Sequence, residues 1–421
     1  MSLAPDSSAA SDSAESAHPQ ALKGIRVLEM GQLIAGPFAA RLLGEFGAEV
    51  IKIEPPGTGD PLRKWRLLDE TGNSVWWAAQ SRNKQSVALD LRQAPAQDLV
   101  RRLLVDCDVL IENFRPGTLE QWGLGWDEIS TINPGLILLR VSGYGQDGPY
   151  RDRPGFGVVA EAMGGLRHLC GEPGRTPVRV GVSIGDSLAG LHGVIGVLLA
   201  LRHRDQPPGG GRGRGGGQVI DVALYEAVFS MMESLIPEYS AFGAVRQAAG
   251  SSLPGIAPTN AYRCQDGRYA LIAGNGDSIF RRLMALIGRP DLGADPLLAH
   301  NDGRVAQVER LDAAIGDWAA QLPLEAVLDA LNGAGIPAGK IYDAADIARD
   351  PHYQARGMLR EAQLPGGQTV TVPGVVPRLS VTPGSLRTEA PRLGQHTDQV
   401  LRGMGLTAGQ IAELRQQGII G

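Results

Sequence analysis

From residue 25 onward the apolar positions fall into two alternating rhythms. IRVLEM (25–30) is a short β-rich run, and Gly36-Pro37 then opens FAARLLGEFG, whose apolar spacing is near that of a helix. EVIKIE (49–54) is a second short run. Strand, helix and strand within about 30 residues form the unit of a parallel sheet. The rhythm recurs in SVALDL (86–91), a helical stretch over Ala94–Leu104, DVLIEN (108–113) and LILLRV (136–141). LILLRV is almost continuously apolar, as a strand covered on both faces requires. The pattern predicts an α/β fold with a Rossmann-like parallel sheet.

A long helix is expected over 187–204, then a strand at QVIDVAL (218–224) that runs into a helix through Met232. Between them, PPGGGRGRGGG (207–217) is low-complexity. Arg212 and Arg214 are too few for an RNA-binding patch, so the segment reads as a surface loop. Residues 250–335 hold a strand at RYALIA (268–273), a helix from Asp277 and helices near 306–321 and 323–333. They read as a smaller α+β domain. Beyond 340 come a β-like run, TVTVPG (369–374), and a helix near 407–417. The expected plan is therefore a tail (1–21), a large α/β domain (22–235), a small domain (250–335) and a C-terminal segment (340–421) that returns to the large domain.

Composition narrows the partners. A chain of 421 residues with 43% hydrophobic and 20% charged positions suits two soluble domains. The net charge of −5 lacks the basic surplus of a nucleic-acid binder. Cys107, Cys170 and Cys264 are odd in number and form no CxxC, which argues for a reducing cytoplasm and against a disulfide framework or zinc site. The first 20 residues are rich in Ser, Ala and Asp without Arg or an apolar core, so they read as a disordered tail and not as a signal peptide. The longest apolar stretch (188–201) is interrupted by His192 and glycines. It is shorter than the roughly 20 residues a membrane span needs, so no transmembrane helix is expected.

Several motifs offer chemistry. GVSIG (181–185) matches the G-x-S-x-G nucleophile elbow, with Ser183 as nucleophile and His396 available downstream, but no HGGG-type oxyanion segment precedes it. Asp186 follows directly, in IGDSLAGLHG. On spacing alone it is a helix N-cap. A second reading makes it a nucleophilic carboxylate: Gly185, Ser187, Ala189 and Gly190 leave room for a substrate, and a helix start keeps the carboxylate ionised. The loops at Gly31–Gly36, ENFRPG (112–117) and SGYGQDGP (142–149) sit where α/β sheets bind ligands, at strand carboxyl ends. His168 and Cys170 are an isolated pair, and GAGIPAGK (333–340) fails the P-loop spacing, so no metal or phosphate-loop site is expected.

Taken together and in order, LKGIRVLEMGQLIAGPFAARLLGEFGAEVIKIEPPGTGD, RNKQSVALDL, CDVLIENFRPG, SGYGQDGP, IGDS, QVIDVAL, GIPAGKIYD and PRLGQHT resemble the class III CoA-transferases. That family includes formyl-CoA transferase, carnitine CoA-transferases, succinyl-CoA-dependent dicarboxylate CoA-transferases and α-methylacyl-CoA racemase. The resemblance runs from Leu22 to the end. It implies an interlocked homodimer and transfer of CoA from an acyl-CoA to a carboxylic acid, with CoA as substrate and no permanently bound cofactor. The family's nucleophile falls on Asp186, which would pass through an acyl anhydride and a CoA thioester. Its CoA contacts fall on Ile34, Ala35, Leu89, Arg92, Asn113, Phe114, Arg115, Gly143, Tyr144, Gly145 and Gln146.

The chain departs from the formyl-CoA transferase pattern. Glu54-Pro55-Pro56 lacks an arginine found there, Ile34 replaces a glutamine, and GSSLPGIAPTNAY (250–262) stands in place of a glycine-rich lid. The racemases carry a histidine where this chain has Phe156, so two-base exchange at an α-carbon lacks a partner. Gly157 occupies a position where transferases often have Asp. The motif wording is nearest the succinyl-CoA-dependent members acting on dicarboxylic acids.

Overall fold

The computed structural model describes residues 19–205 and 215–421. Most of the expected tail (1–21) and of the Gly/Arg segment (207–217) lies outside the described residues. The chain divides into two compact units. One takes the chain up to Leu166, Val180–Ile236 and Ala355–Gly421, and the other takes Arg167–Arg179 and Pro237–Gln354. The second unit thus reaches beyond 250–335 on both sides.

The first unit is built on β1 (Arg26–Glu29), α1 (Ala35–Glu45), β2 (Glu49–Glu54), β3 (Lys84–Ala88), α2 (Ala94–Leu104), β4 (Val109–Glu112), β5 (Ile137–Ser142), α3 (Gly157–Met163), α4 (Ile184–Asp205) and β6 (Val219–Ala223). The sheet order is β3-β2-β1-β4-β5-β6, and every neighbouring pair is parallel. Strand order reverses between β1 and β4, which is where such sheets open a crevice at their carboxyl ends. One face is covered by α2 and the chain's end, with Leu99 and Leu103 clustered with Leu401, Ile411 and Ile420. The other is covered by α1 and α4 through Ala39, Leu43, Ala189 and Val197. In α2 the buried Ala96, Leu99, Val100, Leu103 and Leu104 recur at helical spacing, so a single apolar stripe faces the sheet.

Two expectations from sequence change here. β3 begins at Lys84, ahead of SVALDL, because Lys84 pairs with Val50 in the ladder and is itself buried. The apolar stretch at 188–201 belongs to a longer helix: α4 has 22 residues and is long and apolar enough, by length and composition, to cross a membrane. Its inner face is fitted to this fold. A Cβ on Gly190 would stand 2.9 Å from the carbonyl oxygen of Ala35, one on Gly193 2.8 Å from Leu139, and one on Gly196 2.8 Å from Ile220. These glycines let α4 lie close on α1 and the sheet. Leu191, Ile195, Leu198 and Leu199 on α4 are exposed.

In the second unit, Thr259–Arg263, Tyr269–Ala273 and Ala338–Lys340 form a three-stranded antiparallel sheet. Helices Asp277–Leu286, Val308–Ala319 and Leu324–Gly333 pack on it around Phe280, Leu283, Ile315 and Val327. The molecule is thus a large α/β unit joined to a smaller α+β unit.

Candidate active site

The loop between β1 and α1 is held from below by buried charge. Lys52, on β2, donates to Glu29 at 2.7 Å and to the carbonyl of Gly31 at 2.8 Å, and it lies 2.9 Å from Asp60. Lys84, on β3, contacts the other Glu29 oxygen at 2.8 Å and donates to the carbonyl of Pro37 at 2.7 Å. All four side chains are fully buried or nearly so. Burial alone would lower the Lys52 ammonium, but the carboxylates of Asp60, Glu29 and Glu54 outweigh it and hold the group above its usual range. Lys84 has less compensation. Burial and the like charge of Lys52 push it down to about 8 against the pull of Glu29.

Asp60 turns this network into loop geometry. Its two oxygens accept the Leu33 N–H at 3.0 and 3.2 Å, and Leu33 has φ of 64°, in the left-handed region that a leucine seldom adopts. The next residue, Ile34, has its carbonyl held by the Gln80 amide at 3.2 Å. The β1 and β4 loops are then knitted to each other. Asn113 Oδ1 accepts the Gln32 N–H at 2.7 Å, and Asn113 Nδ2 donates to the Gln32 carbonyl at 2.8 Å. Glu112 accepts the Phe114 N–H at 2.7 Å and Arg140 Nε at 2.8 Å; burial pushes its carboxyl up to about 7 against the pull of Arg140.

Above these loops lies a cleft of about 280 Å³. Gln32 to Ala35 line it from β1, Asn113 to Pro116 from β4, and Gly143 from β5. Arg151 and Arg153 line it from the loop that follows β5, and Phe156 and Asp186 complete it. That loop is closed by backbone contact. A Cβ on Gly143 would stand 2.8 Å from the Gly155 Cα, so neither position has space for a side chain. The Arg153 guanidinium stacks 3.6 Å from the centre of Tyr150, whose ring meets Tyr144 edge-on. The cations Arg115, Arg151 and Arg153 therefore share a cleft whose one lining carboxylate, among the described residues, is Asp186.

Of the residues singled out from sequence, Ile34, Ala35, Asn113, Phe114, Arg115, Gly143 and Asp186 meet in this cleft. Tyr144, Gly145 and Gln146 stand beside it: Gly145 N–H donates to Ser142 Oγ and Gln146 N–H to Asp221. Leu89 and Arg92 are not among its lining residues. Leu89 is buried in the core, and Arg92 forks onto Asp90 at the surface. Gln32, Arg151 and Arg153 line the cleft and were not singled out; Arg151 and Arg153 follow the GYGQDGP loop directly, which is the signal that would have found them.

Asp186 is not a cap. α4 begins at Ile184, which puts Asp186 inside the first turn, half-buried and facing the cleft. The serine-hydrolase reading loses its frame. No strand precedes Ser183, as a nucleophile elbow demands, and His396 is committed elsewhere, its Nδ1 accepting the Ser86 N–H of β3 at 3.2 Å. Among the described residues no group of three or more His, Cys, Asp or Glu side chains is arranged to hold a metal ion.

The family model described as CoA-transferase family III matches residues 22–397. Succinyl-CoA–D-citramalate CoA-transferase of Chloroflexus aurantiacus is 45% identical over 96% of this chain and 98% of its own length. Succinate–glutarate CoA-transferase of Agrobacterium fabrum is 32% identical over 90% of this chain and 94% of its own. The crystal structure of a CAIB/BAIF family protein from Brucella suis superposes with a TM-score of 0.80 at 33% identity, covering 91% of this chain and 99% of that one. A parallel sheet with its cleft at the strand reversal, and relatives of this similarity along nearly the whole length, lead to one conclusion: the chain belongs to family III of the CoA-transferases and moves CoA between an acyl-CoA and a carboxylic acid.

Proposed function

We propose that Asp186 is the nucleophile and that the enzyme exchanges CoA between succinyl-CoA and a second dicarboxylic acid. The observation that carries the reading is the position of Asp186, among the described residues the one carboxylate lining a largely apolar cleft that also holds Arg115, Arg151 and Arg153. An Asp186 oxygen attacks the thioester carbonyl, the C–S bond breaks, and CoA leaves as thiolate from a mixed anhydride. The thiolate attacks the aspartyl carbonyl of that anhydride, releasing the donor acid and leaving CoA on Asp186 as a thioester. The acceptor carboxylate attacks this thioester, giving a second anhydride and CoA thiolate. Attack of the thiolate on the acceptor's carbonyl then yields the new acyl-CoA and restores Asp186. Each step trades one activated acyl group for another, so water must be kept out.

Ile34, Ala35, Asn113, Phe114, Arg115 and Gly143 hold the thioester end of CoA. Arg92, Tyr144, Gly145 and Gln146 follow the carboxyl ends of β3 and β5 and extend the binding rim along the same edge of the sheet, with Leu89 packed beneath it. Arg151 and Arg153 supply positive charge for the free carboxylate of a dicarboxylic substrate. The relatives' names, which pair succinyl-CoA with citramalate or malate, support that class of donor and acceptor. Transfer is favoured over racemisation because Phe156, which lines the cleft with Asp186, has no group that can act as acid or base. The working form is an interlocked homodimer in the cytoplasm, with a second copy covering the exposed Leu191, Ile195, Leu198 and Leu199 of α4. Neither a membrane nor a nucleic acid is a partner, in keeping with the net charge of −5.

The test is direct. Mixing the enzyme with succinyl-CoA and measuring intact mass is expected to reveal a CoA adduct that hydroxylamine removes and that maps to Asp186. Asp186→Ala is expected to abolish it and to lower turnover by about 10⁴-fold or more. A panel of acyl-CoAs that leaves no adduct, with full activity in Asp186→Ala, would sink the mechanism.

A further inference from the structure

Arg140 stands on β5, yet its guanidinium serves the loop that follows β4. Its Nε donates to one oxygen of Glu112 at 2.8 Å, and its two terminal nitrogens donate to the two oxygens of Glu120 at 2.6 and 3.2 Å. Glu112 is the last residue of β4, and Glu120 lies in the short helix Thr118–Gln121 that closes the loop. One side chain thus joins both ends of the segment 113–119. The other Glu112 oxygen accepts the Phe114 N–H at 2.7 Å, so the tie continues into the loop's own backbone. Phe114 is seated in turn by its ring, which meets Trp122 edge-on at 5.1 Å.

The segment held in this way carries Arg115 into the cleft. Among the described residues the Arg115 guanidinium has no ion pair and no side-chain hydrogen bond. Its place is therefore set by its backbone. Gly117 turns in the left-handed region with φ of 87°, and the Arg115 carbonyl accepts the Thr118 N–H at 3.1 Å. A guanidinium without protein partners is suited to fork onto an anionic ligand.

Fold stability does not account for the whole arrangement. Arg140 and Glu112 are buried and satisfy each other's charge. Glu120 is half-exposed, and an ion pair at such a position adds little stability. What the Glu120 bonds add is a fixed distance between the ends of the loop. We propose that Arg140 and Glu120 are positioning residues for CoA binding: by clasping the two ends of the loop after β4, they hold Arg115 where it meets the acyl-CoA. The inference rests on the reading of Arg115 as a CoA contact.

The experiment measures CoA affinity by isothermal titration, and the rate of Asp186 adduct formation at saturating succinyl-CoA, in the full-length enzyme. Glu120→Ala opens the clasp at its half-exposed end and leaves the buried Glu112–Arg140 pair in place. It is expected to weaken CoA binding by about five- to tenfold, part of the value of one charge-assisted contact, with the adduct rate at saturation within about twofold. Arg140→Lys keeps the positive charge, but a single ammonium cannot fork onto Glu120 while it is bonded to Glu112, so the same weakening is expected. Arg115→Ala should weaken binding by about tenfold or more, and in that background Glu120→Ala should cost less than about twofold further. General loosening of the fold would instead weaken binding equally in both backgrounds. Such an equal loss, full CoA affinity in Glu120→Ala beside a weakened Arg115→Ala, or full affinity in Arg140→Lys overturns the proposal. Full affinity in Arg115→Ala sinks the reading of Arg115 itself, and the clasp's role with it.

Discussion

The two units bury polar groups in different ways. Beneath the cleft of the first, Glu29, Lys52, Glu54, Asp60, Arg63 and Lys84 are all buried, and their ion pairs link β1, β2 and β3 to the loops above. The second unit has an apolar core, and its buried charge among the described residues is Arg304. Arg304 donates to the carbonyls of Ala257, Asn275, Leu298 and Ala299 and pairs with the half-exposed Asp277 at 2.7 Å, so it ties one segment of its own unit to the next. Buried ion pairs add little stability over apolar packing of the same volume, because desolvation offsets the attraction. Their concentration under the cleft therefore speaks for geometry. Lys52 and Asp60 fix Gly31 and Leu33 at the cleft, whereas Arg304 chiefly satisfies backbone acceptors within the second unit.

Replacing Lys52 by methionine should have the largest effect. It leaves Glu29 and Asp60 buried without their shared cation, a change worth about 3–5 kcal/mol. Urea denaturation should show that loss, and isothermal titration should show CoA bound about tenfold more weakly, because the Leu33 loop loses its anchor. Arg304→Met should come next. The orphaned carbonyls cost about 1–3 kcal/mol each before relaxation, so a loss of about 2–4 kcal/mol is expected, with CoA affinity unchanged. If Arg304→Met weakens CoA binding and Lys52→Met does not, the distinction between the two kinds of buried charge fails.

Much of the fold was legible because periodicity reports burial. α2 spans Ala94–Leu104 and β2 spans Glu49–Glu54 as the pattern indicates, since each shows a clear apolar stripe or run. β3 was placed late because Lys84 looks like a solvent residue; the carboxylate of Glu29 and the carbonyl of Pro37, both distant in sequence, make its burial possible. The hairpin strand Leu359–Gln363 was missed for a related reason, as LREAQ has a largely exposed face and no apolar run. The reading of Asp186 as nucleophile comes only from the ordered motifs, because a carboxylate before a helical pattern suits a cap equally well. Gly157 was identified as unusual but not explained. Its backbone lies against the Asp186 carboxylate on another helix, and no local pattern encodes that.

The smallest effect concerns the join between β3 and the C-terminal segment. His396 donates its backbone N–H to the Ser86 carbonyl at 2.9 Å and accepts the Ser86 N–H on Nδ1 at 3.2 Å. That second bond needs an unprotonated Nδ1, and burial holds the imidazole below its usual range. The sign follows from linkage. The unfolded chain takes up the proton first, near its ordinary value of about 6.5, so the folded state loses stability as pH falls below that and gains nothing from a rise above it. The ring is only partly buried, so solvent screens the effect. Between pH 7.5 and 5.5 the melting temperature of the enzyme should therefore fall by about 1–2 °C more than that of His396→Leu, which cannot titrate. Equal acid sensitivity in both would mean that this polar contact leaves the fold indifferent to its protonation.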